Sequence, residues 1–311
     1  MNYAARINSF MHKYQKSVQL VFDELANIEG ITSVDLNYPE HFAGNNIQEI
    51  KNGLEKNGLT LNGIAVRFRD DFINGELGNA DPVIAAKALQ LCYESIDACR
   101  ALGGEVVTVW LGFDGYDYCF QVDYAKTWQQ VVDAFQKICD YGHDLKISIE
   151  YKPFQPRVHS LISSIGDTLA MIREINRPNI GGTLDFCHML MKAENPAFGL
   201  SMLAARNKLF GVHLNDGNHL NDDGLMTGMM NLNQTIEFIY YLKKSGYEGA
   251  VYFDTFPVRE DPSGELRANI SMFDIISRMV DRVGQEKIQK VIDSNNALEA
   301  QKLMLDFLGG Q

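Results

Sequence analysis

The chain has 311 residues, of which 46% are hydrophobic and 22% are charged, so a disordered chain is excluded and a sizeable core can form. Its formal net charge of -12 argues against a nucleic-acid partner, because phosphate backbones are bound by clustered lysines and arginines. Five cysteines without a CxxC pair indicate a cytoplasmic protein with neither a disulfide framework nor a zinc ribbon, and no apolar run approaches the roughly 18 residues that cross a membrane.

Short β-like runs alternate with longer amphipathic stretches along the whole chain. Several of these runs are almost continuously apolar, as is typical of strands that are covered on both faces. The predicted strands are Tyr3–Phe10, Ile31–Asn37, Leu59–Arg67, Val106–Leu111, Leu145–Tyr151, Ile180–Phe186, Leu209–Leu214 and Ala250–Asp254.

The stretches between the predicted strands have helical periodicity. Asp81–Gly104 begins with an Asp-Pro pair, which supplies an N-cap and a first-turn proline, and it ends at a Gly-Gly pair that stops a helix. Further helices are predicted over Tyr124–Tyr141, Gln234–Ser245, Ile270–Val283 and, as a C-terminal tail, Gln285–Leu308.

Eight successive strand–helix units predict an α/β fold with a parallel sheet. Closure of that sheet into a (β/α)8 TIM barrel is the expected architecture, and a doubly wound open sheet is the alternative. We assign residues 1–284 to the barrel and residues 285–311 to a short C-terminal helical extension, because no linker or charge block divides the chain earlier.

Polar side chains stand at the ends of four consecutive predicted strands, where TIM barrels place their active sites. They are Glu150, Asp185, His213 and Asp254. Each residue by itself is more often a helix cap, an ion-pair partner or a hydrogen-bonded core histidine. Together they would be a costly cluster of buried charge without a cation. Three carboxylates and one imidazole suit Mn²⁺, Co²⁺ or Mg²⁺ better than a structural zinc ion.

A second set of candidate ligands follows from the same strand ends. His188 lies three residues beyond Asp185, so both side chains can face one cavity. A later loop brings Asn221, Asp222 and Asp223. Asp185 could therefore bridge two metals, with His188 and Asp223 completing the second site, although the loop could equally be a solvated Asx-rich turn.

These motifs resemble those of the xylose isomerase family, in consistent order over roughly residues 30–300. The segment ISIEYKPFQPR resembles the family's ExKPxxPR motif, which implies that Glu150 binds metal and that Lys152 polarises a substrate oxygen. The segment GGTLDFCHML resembles the family's bridging acid followed by a ligand histidine, which implies these roles for Asp185 and His188.

Further segments extend the resemblance. The segments LFGVHLNDGN and YFDTFPVRED resemble family motifs that make His213 and Asp254 the remaining ligands. VWLGFDGY resembles a tryptophan-containing loop, which implies that Trp110 is an apolar wall against the sugar. RDDFINGELGNAD is similar to a loop whose phenylalanine reaches a neighbouring subunit's site, so the resemblance implies this role for Phe72 in a homodimer or homotetramer.

The sequence also departs from the family pattern. Asn37 stands where the family has a histidine that assists ring opening, so either His41 replaces that histidine or the substrate is already open-chain. The match to the family's paired acids falls on Asn221 and Asp223, so one tight metal site and a second, weaker site are expected. Phe256 replaces a second family lysine.

The resemblance implies a metal-dependent aldose–ketose isomerase that acts on a small sugar by a 1,2-hydride shift. A ketose 3-epimerase is the alternative; it needs two proton-transferring carboxylates, for which Glu150 qualifies and Asp254 is one methylene short. A DNA-repair endonuclease barrel would need more histidines and a basic groove, which the net charge disfavours. A catalytically silent sugar- or metal-binding protein is opposed by Glu150 and Lys152 and supported by Asn37.

Overall fold

The computed structural model describes residues 1–14 and 17–309. In that part of the chain, eight parallel strands close into a barrel in which each strand pairs with its neighbours in sequence and the first pairs with the last. This confirms the predicted TIM barrel and excludes the open sheet. The strands are β1 (Asn2–Arg6), β2 (Ile31–Tyr38), β3 (Thr60–Val66), β4 (Val106–Trp110), β5 (Lys146–Glu150), β6 (Ile180–Asp185), β7 (Leu209–Leu214) and β8 (Ala250–Phe253).

Helices connect the strands, cover the barrel and extend past it. They are α1 (Asn8–Met11), α2 (Val18–Leu25), α3 (Ile47–Lys56), α4 (Pro82–Leu102), α5 (Tyr124–Tyr141), α6 (Ile165–Ile175), α7 (Phe186–Met191), α8 (Pro196–Ala204), α9 (Leu232–Lys244), α10 (Pro262–Val283), α11 (Gln285–Ser294) and α12 (Ala297–Phe307). Short 3₁₀ turns and a two-stranded antiparallel sheet, Gly115–Tyr116 with His159–Ser160, occupy the connecting loops. None of the helices in the described residues has the length and apolarity that a membrane span requires.

The residues predicted to cap α4 lie at its two ends. The side chain of Asp81 accepts a hydrogen bond from the backbone N–H of Val83 at 2.8 Å. Gly103 ends the helix with a φ of +74°, a left-handed conformation that glycine adopts without a Cβ penalty. Local capping chemistry therefore sets both ends of this helix.

The first strand is shorter than predicted. β1 ends at Arg6, and the residues that follow form α1 instead of continuing the strand. Ile7 and Phe10 are both buried, and residues three apart share one side of a helical turn but lie on opposite faces of a strand. Burial of both side chains in one core therefore requires the turn.

The predicted C-terminal tail consists of two helices. α11 ends at Ser294; the next residue, Asn295, has a left-handed φ of +47°, and Asn296 then caps α12 with its side chain. Residues 310 and 311 of the predicted extension lie outside the described residues.

The strand β6 shows how the barrel positions its polar ends. All six of its residues are buried. Gly182 lets Leu203 pack directly on the strand, since a Cβ at that position would lie 2.8 Å from the leucine side chain. The strand is thereby enclosed, and Asp185 emerges at its carboxyl end in register with His213 on β7.

Candidate metal centre

The carboxyl ends of β5 to β8 bring four side chains together: Glu150, Asp185, His213 and Asp254. Each offers one ligand atom, and these atoms all lie within 4.8 Å of one another. The side chains of the first three are less than 10% exposed, and that of Asp254 is 14% exposed. The structure therefore gathers the four strand-end residues that the sequence singled out.

The buried acids of this group need a nearby positive charge to stay ionised. Burial raises the pKa of Asp185 to about 7. Burial would also raise the pKa of Glu150, but the charge and the hydrogen bond of His213 outweigh it and lower that pKa to about 2. The Nδ1 atom of His213 lies 3.2 Å from Oε1 of Glu150.

The pKa values of His213 and of the nearby His188 are raised. Burial would lower the pKa of His213, but the negative charges of Glu150 and Asp254 outweigh it and raise that pKa to about 9. Asp185 and Asp222 act in the same way on His188, whose pKa is also raised to about 9. Protonated imidazoles thus balance the carboxylates, and a divalent cation fits a donor set of this composition and charge.

A second group consists of Asp185, His188 and Asp222, again with ligand atoms within 4.8 Å. Nδ1 of His188 lies 2.9 Å from the carbonyl oxygen of Tyr151, which can only accept a hydrogen bond, so the other ring nitrogen faces Asp222. Lys152 donates to Oδ2 of Asp222 at 2.8 Å. An ammonium group therefore already neutralises one acid of this group.

The structure differs here from the sequence-based assignment of Asp223 and Asn221. The carboxylate of Asp223 accepts a hydrogen bond from the backbone N–H of Asn218 at 2.7 Å and closes its own loop. The side-chain oxygen of Asn221 accepts from Gln155 at 3.1 Å. Successive side chains of a tight loop point in different directions, so only Asp222 reaches the centre.

A cavity of about 220 Å³ lies over both groups. Its walls include Trp110, which ends β4 in register with Glu150 on β5. Lys152 is 7% exposed, and its Nζ atom lies 5.3 Å from the centroid of the Trp110 ring. The lysine predicted to touch a substrate oxygen therefore faces the same space as the candidate ligands.

Three arginines that are not predicted from the sequence also line this cavity: Arg6, Arg67 and Arg69. Arg6 ends β1 and Arg67 directly follows β3. Both therefore stand at the carboxyl ends of strands, the same position in the sequence pattern that marks the candidate ligands.

The side chains of Asn37 and His41 lie behind the cavity wall. Asn37 is buried and donates at 2.9 Å to the side chain of Asn8, which lines the cavity. His41 accepts a hydrogen bond from the backbone N–H of Asn37, and burial lowers its pKa to about 4. The neutral imidazole of His41 stabilises the end of β2 through this hydrogen bond. Neither its contact nor its charge supports a role for His41 in ring opening.

Phe72 is not part of this chain's own cavity. Its ring packs edge-to-face on Phe68 with a centroid separation of 5.2 Å, and it lines a separate groove beside α4. A contact between Phe72 and a neighbouring subunit stays a prediction.

The sequence of the chain is similar to those of known xylose isomerases. A family model described as a xylose isomerase-like TIM barrel matches residues 22–276. Xylose isomerase from Thermus thermophilus is 29% identical over 227 residues, which cover 70% of this chain and 59% of that protein. The xylose isomerase from Thermus caldophilus is 28% identical, with the same two shares, so the chain spans about three fifths of the length of these relatives.

Solved structures with the same fold include sugar epimerases. An L-ribulose 3-epimerase superposes with a TM-score of 0.73 and 17% identity, over 91% of this chain and 96% of that chain. A xylose isomerase domain protein from Alicyclobacillus acidocaldarius gives a TM-score of 0.69 and 20% identity, over 89% and 98%. At such identities the likeness concerns the barrel fold alone.

Proposed function

The chain belongs to the xylose isomerase-like TIM-barrel family, and from this premise we propose that it is a metal-dependent sugar isomerase that interconverts an aldose and a ketose. The observation that carries the proposal is the position of Lys152. Its side chain is almost buried, and it lines the same cavity as Glu150 and Asp254 of the candidate metal centre.

Glu150, Asp185, His213 and Asp254 would hold one divalent cation. Three carboxylates with one imidazole are ligands that Mn²⁺, Co²⁺ and Mg²⁺ accept, and the imidazole favours the first two. A bound cation would polarise adjacent sugar oxygens and stabilise negative charge on them. His213 must lose its proton for one of its ring nitrogens to become a ligand.

Asp185, His188 and Asp222 would hold a second cation more weakly. Lys152 donates to Asp222 at 2.8 Å, so the ammonium group and a cation compete for the same carboxylate. His188 has its other nitrogen engaged by a backbone carbonyl, which leaves one ring nitrogen as a ligand. Asp254 of the first group also pairs with a cation, Arg6, at 2.7 Å, but that group offers four ligands against three, so one tight and one weak site are expected.

Lys152 would stabilise the oxygen that gains charge during the reaction. When an open-chain aldose becomes a ketose, the hydrogen on C2 moves with its electron pair to C1. The proton of the C2 hydroxyl leaves, and the oxygen on C1 gains a proton. A donor held by Asp222 and covered by Trp110 is preorganised to bind the C1 oxygen as its charge grows.

Ketose 3-epimerisation is the second candidate. Glu150 and Asp254 favour it, because both carboxylates line the cavity from different strands. One of them could remove the C3 proton from one face while the conjugate acid of the other returns a proton to the opposite face. This chemistry assigns no direct role to Lys152, which is the reason that isomerisation is preferred.

Reaction in deuterium oxide separates the two candidates. A panel of aldoses and ketoses would be incubated with the Mn²⁺-loaded protein, and the products would be analysed by NMR spectroscopy and mass spectrometry. Hydride transfer between carbons leaves the product carbons free of solvent deuterium. Epimerisation adds one deuteron at C3. If no sugar of either class is converted, the proposed activity is wrong.

A further inference from the structure

The cavity carries more positive charge than isomerisation of a neutral sugar would use. Arg6, Arg67 and Arg69 line it together with Lys152, in a chain whose formal net charge is -12. Only Lys152 has a role in the proposed reaction. Arg6 and Arg69 have acidic partners, Asp254 and Glu40, so Arg67 is the one that needs a different explanation.

Arg67 forms no direct ion pair in the described part of the chain, although its charge acts on nearby Glu150 and Glu40. Its Nε atom is buried and has no hydrogen-bond partner among the described residues. Acids around the cavity are engaged by other cations: Asp222 by Lys152, and Asp254 by Arg6 at 2.7 Å. A buried donor without a partner costs free energy, so its retention at a cavity wall indicates a ligand that accepts the hydrogen bond.

Two cations lie over one aromatic ring. The guanidinium carbon of Arg67 is 5.8 Å from the centroid of the Trp110 ring, and Nζ of Lys152 is 5.3 Å from it. The ring attracts each of them, but the two positive charges repel one another. An anionic group bound in the cavity that all three residues line would reduce that repulsion.

Arg6 and Arg69 extend this positive surface. Arg6 approaches Asp254 closely but without the alignment of a hydrogen bond, and its guanidinium stacks on Phe256 at 4.6 Å. If Asp254 binds a metal cation, it no longer balances the positive charge of Arg6. Arg69 pairs with Glu40 at the exposed rim, where its side chain is 52% exposed.

We infer that the substrate is an open-chain sugar with an anionic group, either a carboxylate or a phosphate ester, which Arg67 binds beside Trp110. A guanidinium donates two parallel hydrogen bonds to either group, whereas a neutral hydroxyl cannot balance its charge. This inference rests on the proposed function, because it specifies the substrate class of the same site.

The first test is binding, measured by calorimetry with the Mn²⁺-loaded protein. The ligands are stereoisomeric ketohexoses, the matching ketohexuronates and the matching ketohexose 6-phosphates. At least one anionic series should bind at least about tenfold more tightly than its neutral counterpart, and this advantage should shrink as salt is added. The series that binds identifies the group as a carboxylate or a phosphate. Equal affinity for neutral and anionic sugars overturns the inference.

Variants then test whether Arg67 is the residue that binds the anionic group. Arg67→Gln should remove most of the advantage of the anionic ligand, and Arg67→Lys should keep part of it, because the charge remains while the paired geometry is lost. Arg173→Gln, a change at an exposed arginine in the last turn of α6, is the matched control and should leave the advantage intact. An unchanged advantage in a folded Arg67→Gln protein overturns the inference, as does full loss in the control.

Turnover separates this inference from the proposed function. If anionic sugars bind through Arg67 but none is converted, the proposed isomerase activity fails and the inference stands. If neutral sugars are isomerised at least as efficiently as anionic ones, and Arg67→Gln leaves kcat/KM for the anionic sugars unchanged, the inference fails and the proposed activity stands. The salt dependence of wild-type binding decides the case in which both Arg67 variants fail to fold.

Discussion

The ammonium group of Lys152 donates a hydrogen bond of 2.8 Å to Asp222, a residue that lies 70 positions further along the chain. Asp222 is also part of the second group of candidate ligands, with Asp185 and His188. Burial would raise the pKa of Asp222, but His188 and Lys152 outweigh it and hold that pKa well below its usual range. One carboxylate thus couples the proposed substrate donor to the weaker metal site.

Lys152→Met tests this coupling. The variant should bind the tight cation normally, and kcat and kcat/KM should fall together by about 100-fold or more, because a donor to the growing charge is lost. The weak site should bind Mn²⁺ more tightly, since Asp222 loses its competing partner. Lys137→Met, at an exposed position of α5, is the control. Loss of the tight cation from Lys152→Met would contradict the assignment.

The two histidines should affect different cations. His213→Ala should abolish tight Mn²⁺ binding, because three carboxylates are then left in mutual repulsion. His188→Ala should spare the tight cation and weaken only the second one. Calorimetric titration of both variants, with His143→Ala as an exposed control, provides the measurement. Simultaneous loss of both cations in His188→Ala would show that the ligands are wrongly divided.

Neighbouring acids of one loop offer a direct comparison. Asp222→Asn should weaken the second cation and lower turnover, because it removes a charge from the centre. Asp223→Asn should leave both cations bound and slightly lower the melting temperature, since Asp223 only closes its loop through Asn218. Titration with Mn²⁺ and thermal unfolding of the two variants measure these effects. If Asp223→Asn weakens the second cation and Asp222→Asn does not, the loop is oriented differently from this structure.

Metal binding should release protons at neutral pH. Nearby carboxylates raise the pKa values of His188 and His213 to about 9, so both imidazoles are protonated at pH 7 before a cation binds. Apparent affinity for Mn²⁺ should therefore rise with pH, by up to about tenfold per pH unit for each proton released, and level off above about pH 9. Calorimetry in buffers with different ionisation enthalpies counts the protons. An affinity that does not change between pH 6 and 8 would argue against protonated histidines in the metal-free site.

Activity should depend on the identity of the cation. A chelator should abolish turnover, and Mn²⁺ or Co²⁺ should restore it better than Ca²⁺ does, because Ca²⁺ prefers a larger set of oxygen ligands without imidazole. Activity assays after chelation and re-addition of each cation test this order. Full turnover in excess chelator would exclude the metal-dependent mechanism.

The strand ends show how far sequence reasoning reaches. Apolar runs separated by amphipathic stretches predict the parallel barrel, and the carboxyl ends of parallel strands meet at one rim of it. The proximity of Glu150, Asp185, His213 and Asp254 follows from that topology without any side-chain coordinates. The short first strand cannot be predicted in this way, because Ile7 and Phe10 are apolar in either conformation and only their burial in one core distinguishes a turn from a strand.

The sequence by itself thus determined the barrel and the four strand-end residues, since periodicity and strand direction are local properties of the chain. Tertiary structure decided that Asp222 and not Asp223 reaches the centre, because the direction of a loop side chain depends on the hydrogen bonds that close the loop. It also decided that Arg67 faces the cavity with a buried N–H donor for which the described residues provide no acceptor. A missing partner can be recognised only when every neighbour has been placed in space, and no spacing along the chain encodes it.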